Sequence, residues 1–240
     1  MARSRGRDDT ARRRRDHGRK RLRPRGVYVF TEGEVTEPMY IDLVLQHGVP
    51  AFPDRPVEIH YPDEHAPSKR RKPLPLVEAA IPVLREVERD AKKAGLKKDD
   101  WNWPQVWCLF DRDEHDQIPT AFARARQAGV RIAYSHPCFE LWRLLHYQNY
   151  TSTFSGVCGS AAAKLRQRPG FAQTYGRNIR SVSEEQAKHV MPGQLLERYG
   201  KARGYAQQIN AEHRGSDETA WDPFTDVWRF VEEAVGIADY

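Results

Sequence analysis

Apolar positions between residues 26 and 147 fall into two alternating patterns. Val27-Tyr28-Val29-Phe30 and Val106-Trp107-Cys108-Leu109-Phe110 are unbroken apolar runs, as in strands covered on both faces of a parallel sheet, and residues 130–134 are read as the next strand. Val57, Ile59 and Tyr61 alternate with Glu58 and His60, a half-exposed strand. Helical spacing fills the intervals. Met39, Tyr40, Leu43 and Val44 form one stripe, with Thr36 as a candidate cap, Glu37-Pro38 in the first turn and Gly48 as a stop. Residues 76–94 form a longer stripe, in which Pro82 predicts a kink or a later start. Shorter helices are expected over 119–127, closed by Gly129, and over 139–147. Strands alternating with helices predict an α/β fold: a three-layer core over 26–147 with a mostly parallel sheet.

After Tyr147 the pattern changes. Residues 148–160 are polar and glycine-containing, and 183–214 read as two helices broken near Met191-Pro192-Gly193. Asp222-Pro223-Phe224-Thr225 opens a last helix over 226–235. Residues 148–240 are therefore expected as a helical elaboration packed on the core.

Charge adds a third segment. Twelve of the 39 Lys and Arg residues lie in 1–25, against Asp8, Asp9 and Asp16, which leaves 27 basic and 30 acidic residues for the rest. The net charge of +6 and the pI near 9.3 thus belong to a basic tail. Such a run is expected to be disordered. It is either a solubilising arm or, through Arg12, Arg13, Arg14, Arg15, Arg19, Lys20 and Arg21, a sequence-independent contact to nucleic-acid phosphates. A hydrophobic content of 39% and a mean hydropathy of -0.78 allow a core, and no apolar run approaches membrane-span length. Without a signal peptide, and with Cys108, Cys138 and Cys158 an odd set lacking metal-ligand spacing, the expectation is a cytoplasmic protein with reduced thiols.

Chemistry concentrates where apolar runs end. Phe110 gives way to Asp111-Arg112-Asp113-Glu114-His115-Asp116, at the carboxyl end of a strand, where open α/β sheets bind ligands. Two carboxylates at i and i+2 suit a hard divalent cation; the alternative is a solvated acidic loop. Glu32 follows the first strand beside Gly33, and Glu140 opens the helix after 130–134, so a parallel sheet would bring Glu32, Asp111, Asp113 and Glu140 to one edge. Like charges gathered there need a counter-cation, Mg²⁺ or Mn²⁺, which suits phosphoryl chemistry; Glu140 alone also fits a helix-dipole acid. His115 and His136 are candidates to contact a phosphate or leaving group. Lys69, Arg70 and Arg71 form either a phosphate-binding loop or solvated surface. His146 reads as a core histidine, and Trp107 as core. Trp101 and Trp103 could stack bases, with domain packing the alternative reading. No GxxxxGK[ST] is present.

Three blocks, Thr31-Glu32-Gly33-Glu34-Val35-Thr36-Glu37-Pro38, Phe110-Asp111-Arg112-Asp113-Glu114-His115 and Ser135-His136-Pro137-Cys138-Phe139-Glu140-Leu141-Trp142, together resemble the RloB-like family over roughly 25–235. That family is found beside bacterial restriction–modification genes and in phage abortive-infection systems. The resemblance implies a Toprim-like fold that binds divalent metal through a glutamate after the first strand, here Glu32, and a DxD, here Asp111 and Asp113. Glu140 falls where related proteins place further metal-binding acids. Two positions depart from the family pattern: His136 replaces an Asn, and Asp222-Pro223-Phe224-Thr225 replaces Asn-Pro-Ser-Thr, which suggests helix capping by Asp222 or Thr225. The implied activity is a metal-dependent nuclease in phage defence, with an ATPase partner encoded nearby. The competing expectation is a non-catalytic nucleic-acid-binding or sensor subunit with a structural metal.

Overall fold

A computed structural model describes residues 23–240 except 114 and 216. The expected tail contacts at Arg12, Arg13, Arg14, Arg15, Arg19, Lys20 and Arg21 lie outside the described residues. Arg25, expected in the tail, instead begins β1 (Arg25–Thr31), where its guanidinium donates to the Trp101 and Glu233 carbonyls.

The elements follow as α1 (Thr36–His47), β2 (Val49–Pro50), β3 (Val57–His60), α2 (Pro73–Lys93), β4 (Gln105–Asp111), α3 (Ile118–Ala128), β5 (Arg131–His136) and α4 (Phe139–Leu145). Then come α5 (Cys158–Arg166), α6 (Glu184–Ala187), α7 (Pro192–Leu195), α8 (Tyr199–Glu212), β6 (Phe224–Thr225), α9 (Val227–Arg229), a π turn over Phe230–Val235 and β7 (Ile237–Asp239). The central sheet runs β3-β1-β4-β5-β6, parallel except for β6. The fold is α/β with a mostly parallel sheet, consistent with a three-layer core.

The apolar runs are explained by their two covered faces. Along β4, Trp107 and Leu109 enter one cluster with Tyr40, Trp142 and Phe230, while Val106, Cys108 and Phe110 enter another with Leu76, Ile81 and Ala121. One side of the sheet is thus roofed by α1, α4, α8 and the last turns, the other by α2 and α3.

Several expectations need correction. α2 begins at Pro73, earlier than expected, because proline suits a first turn, and Pro82 sits on its solvent side within one continuous helix. Thr36 does not cap α1: it is the first helical residue, and its hydroxyl donates to the Lys188 carbonyl. Residues 183–214 form three helices, and 226–235 a single α-turn followed by a π turn. Residues 148–240 do more than pack on the core: β6 joins the sheet antiparallel to β5, with Ser135 opposite Thr225 and His136 opposite Phe224. Neither Asp222 nor Thr225 caps a helix. Asp222 accepts from the Phe154 and Gly156 amides and the Thr153 hydroxyl, and Thr225 meets the Ser135 hydroxyl at 3.0 Å. Cys138 and Cys158 are not free thiols but a disulfide with Cα atoms 5.3 Å apart, because packing of α5 on α4 joins residues that the sequence separates by 20; Cys108 stays free and buried. No helix among the described residues is long and apolar enough to cross a membrane.

Candidate metal centre

β1 and β4 are adjacent and parallel, as are β4 and β5, so their carboxyl ends deliver Glu32, Asp111 and Asp113, and the start of α4, to one edge. There Glu32, Glu34, Glu37, Asp111, Asp113, Glu140, Glu184 and Glu185 line a cleft of about 430 Å³, with Lys188 among them.

Backbone hydrogen bonds fix the first carboxylates. Glu32 Oε2 accepts the Asp111 amide at 3.0 Å, which ties the end of β1 to the end of β4. Its other oxygen lies 2.6 Å from His115 Nε2, so the structure joins His115 to Glu32. Asp111 Oδ2 accepts the Phe139 amide at 3.0 Å and so holds the first turn of α4. Asp113 sits at φ 31, in the left-handed region that Asp tolerates better than most residues, with its amide donating to the Pro137 carbonyl.

Glu37 is the member that sequence reasoning missed as a site residue. It is buried in the first turn of α1, and its carboxylate accepts the Gly33 amide at 3.1 Å. A Cβ at Gly33 would overlap the Glu37 carboxylate, so the glycine leaves that carboxylate room to sit against the turn. Burial, then the charges of Glu140 and Glu32, pushes Glu37 up to about 7. Asp111 is raised well above the carboxylate range by burial and by Glu37, Glu32 and Glu140. Glu32 is raised by burial, against the pull of the Asp111 amide and His115. The sequence signal for Glu37 was the acid five residues after Glu32, across a glycine turn.

Of the other candidates only Glu140 reaches the cleft. Glu140 borders the cleft, 3.7 Å from the buried Arg143 and 3.8 Å from Cys158 Sγ. Cys138, Glu140 and Cys158 form a group of ligand-type atoms within 4.8 Å of one another, but the disulfide occupies both sulfurs. His136 does not line the acidic cleft. It turns towards Asp222, 3.9 Å away, in a neighbouring hollow that shares Asp113, and burial lowers its pKa. Lys69 and Arg70 are exposed, and Arg70 pairs with Asp63. Arg71 is neither solvated nor open to a phosphate. Buried behind the Glu32 turn, it donates to the Ala66, Thr31 and Gly33 carbonyls and pairs with Glu34 at 3.4 Å. It braces the turn that aims Glu32. Trp107 is core, Trp103 is nearly so, and Trp101 lies partly exposed at the opposite end of the sheet.

The donor set has the chemistry a hard divalent cation takes: the cleft is lined by carboxylates, Glu37 among them buried, and neither Glu37 nor Asp111 has a Lys or Arg at ion-pair distance among the described residues. Among the described residues no three of these carboxylates bring ligand oxygens within 4.8 Å of one another, so an ion there would draw them together. A family model described as RloB-like protein matches residues 27–234. No curated protein and no solved structure matches the chain.

Proposed function

The chain belongs to the RloB-like family, and from that premise we propose that its acidic cleft is a Mg²⁺- or Mn²⁺-dependent nuclease site of Toprim type, acting in phage defence. The observation that carries the proposal is the meeting of Glu32, Asp111 and Asp113 beside an open cleft, with no arginine pairing to Asp111 among the described residues. An acid cluster locked to arginines would instead have supported the non-catalytic reading.

In this proposal Asp111, Asp113 and Glu32 would hold the ion, with Glu37 and Glu140 beside them. A divalent ion bound there supplies a low-pKa water and a charge against the developing phosphate oxyanion. The chain's own groups set the geometry. The Asp111 amide fixes the Glu32 carboxylate, the Phe139 amide fixes Asp111, and Arg71 holds the Glu32 turn from behind. If Glu32 does not hold the ion, it would instead act as general base for the attacking water, with His115, 2.6 Å from its carboxylate, as the group to pass the proton outward.

The test is cleavage of plasmid, single-stranded DNA and total RNA with Mg²⁺ or Mn²⁺, alone and with the ATPase encoded nearby plus ATP. Cleavage should need metal and vanish in Asp111→Ala/Asp113→Ala. Metal-dependent cutting that survives in the double variant would overturn the assignment of these residues. Silence under all conditions would favour a binding or sensor subunit.

A further inference from the structure

Between Leu141 and Ser183 the chain has no Asp or Glu, yet it carries Arg143, Lys164, Arg166, Arg168, Arg177 and Arg180. The remainder of 26–240 holds 21 basic and 30 acidic residues, so this run reverses the sign of the body around it. Arg143 is spent inside the protein. The others gather around α5 and the loop after it, where Arg166, Arg168 and Arg180, with Gly170, Gln173 and Ser181, line a basin of about 560 Å³.

Arg168 is held in place by neutral acceptors, and the other charges are at most partly neutralised. Arg168 Nε donates to the Lys164 carbonyl at 3.0 Å, and its guanidinium also meets the Gln148 amide oxygen. Arg166 has one carboxylate, Glu184, at 3.9 Å, and its buried Nε has no hydrogen-bond partner. Arg177 and Arg180 are exposed and make no ion pair among the described residues. The basin also adjoins the acidic cleft. One side of α5 gives Ala162 and Leu165 to the cleft, while Ala163 and Arg166 line the basin, and Glu184, the partner of Arg166, lines the cleft.

We propose that this basin is a phosphate-binding subsite that anchors a nucleic-acid strand next to the acidic cleft, taking phosphates beyond the one in the cleft. The inference deepens the nuclease reading and rests on it. Eight carboxylates line the cleft; Glu34, Glu140, Glu184 and Glu185 each have a Lys or Arg within 3.9 Å, while Glu32, Glu37, Asp111 and Asp113 have none among the described residues, so a polyanion is repelled there unless cations hold the neighbouring phosphates. Arginine suits this role because its planar fork meets two phosphate oxygens at once. Contacts of this kind position a strand without reading its sequence.

The experiment is fluorescence anisotropy with a labelled single strand and the matching duplex, over a range of salt, with Ca²⁺ in place of Mg²⁺. The full chain is compared with Arg166→Glu/Arg180→Glu, with Arg180→Glu alone, and with Arg89→Glu/Lys93→Glu. The last makes the same charge change on α2, across the sheet. The basic tail is common to all four proteins. The basin double variant should bind about tenfold or more weaker, and its slope of log affinity against log salt should fall by about 1.4 for two lost single-strand phosphate contacts. Arg180→Glu, at an exposed position, should show about half of that loss of slope while keeping the fold. The α2 variant should bind nearly as the parent does. Equal losses in the basin and α2 variants, or no binding to either probe, would overturn the subsite. A selective loss in the basin variants from a chain that cuts nothing would leave the subsite standing and remove the nuclease reading.

Discussion

The two ends of α4 bury charge in opposite ways. At its carboxyl end Arg143 is fully buried, yet it donates to the Ala187 carbonyl and to Gln194 Oε1, each at 2.7 Å. One turn on, His146 meets the Trp142 carbonyl at 2.9 Å and the Tyr240 hydroxyl at 3.0 Å, and Tyr240 meets Tyr40 at 2.7 Å. At the amino end Asp111, Glu37 and Glu140 face one another across the cleft, and their mutual repulsion adds to burial in raising Asp111 and Glu37. The carboxyl end is the more deeply buried and supplies most of its own partners; at the amino end Glu37 and Asp111 accept backbone amides but have no Lys or Arg against them among the described residues. A buried charge with partners holds the fold together; like charges brought together without a countercharge cost stability until a cation arrives. Arg143 connects the two ends, because Glu140 is its nearest carboxylate.

Removing Arg143 should therefore have the largest effect. Arg143→Met leaves the Ala187 carbonyl and Gln194 without their donor and Glu140 without its cation, and is expected to cost about 3–5 kcal/mol. Urea unfolding measures it. A loss below about 1 kcal/mol would mean that the site repacks and that the carboxyl end is no better satisfied than the amino end.

How much of this contrast the sequence carries depends on how local the signal is. Asp111 and Asp113 were legible because an apolar run stops abruptly at them, and Glu32 because a glycine turn follows its strand. The mostly parallel order of the main strands followed from the alternation of strand and helix. Glu37 was not legible as a site residue, since a glutamate in a first helical turn already has a local explanation, and only the seating of α1 over the sheet edge brings it near Glu140. Arg71 sat in a basic run, and only the path of the chain after β3 carries it behind the Glu32 turn. β6 has two residues, too few to show a period. Cys138 and Cys158 meet through helix packing, and His136 leaves the acidic cleft because the β6 segment offers it Asp222.

The middle-sized effect is the response to metal. Mg²⁺ or Mn²⁺ at a hundred times its dissociation constant should stabilise the chain by about 2.7 kcal/mol, read as a rise in melting temperature. Asp111→Asn keeps an acceptor for the Phe139 amide and removes one of the opposed charges. It should be more stable than the parent in EDTA and lose the response to metal. A variant that is less stable in EDTA, together with a parent that ignores both ions, would show that the amino end is as self-sufficient as the carboxyl end.

The smallest effect sharpens the comparison through pH. Burial first, then the charges of Arg198 and Arg143, against the Trp142 carbonyl, lowers His146 to about 3, below its ordinary 6.5. A folded value below the unfolded one means that this contribution to stability is fully present above pH 6.5 and is lost as pH falls towards 3, at about 1.4 kcal/mol per pH unit. Glu37, raised to about 7, has the opposite sign: its contribution is full below 4.5 and is lost as pH rises through 7. The groups around His146 are the Trp142 and Tyr240 rings, Arg143 and Arg198, with Tyr40 and Tyr199 behind Tyr240, and none of them changes charge between pH 4.5 and 6.5. Subtracting the unfolding free energy of His146→Gln from that of the parent, both in EDTA, cancels the carboxylates common to the two. The difference should fall with acidification at that slope. A difference that stays flat from pH 6.5 to 4.5 would mean that the imidazole is free to charge in the folded protein, and the carboxyl end of α4 would lose its claim to be closed.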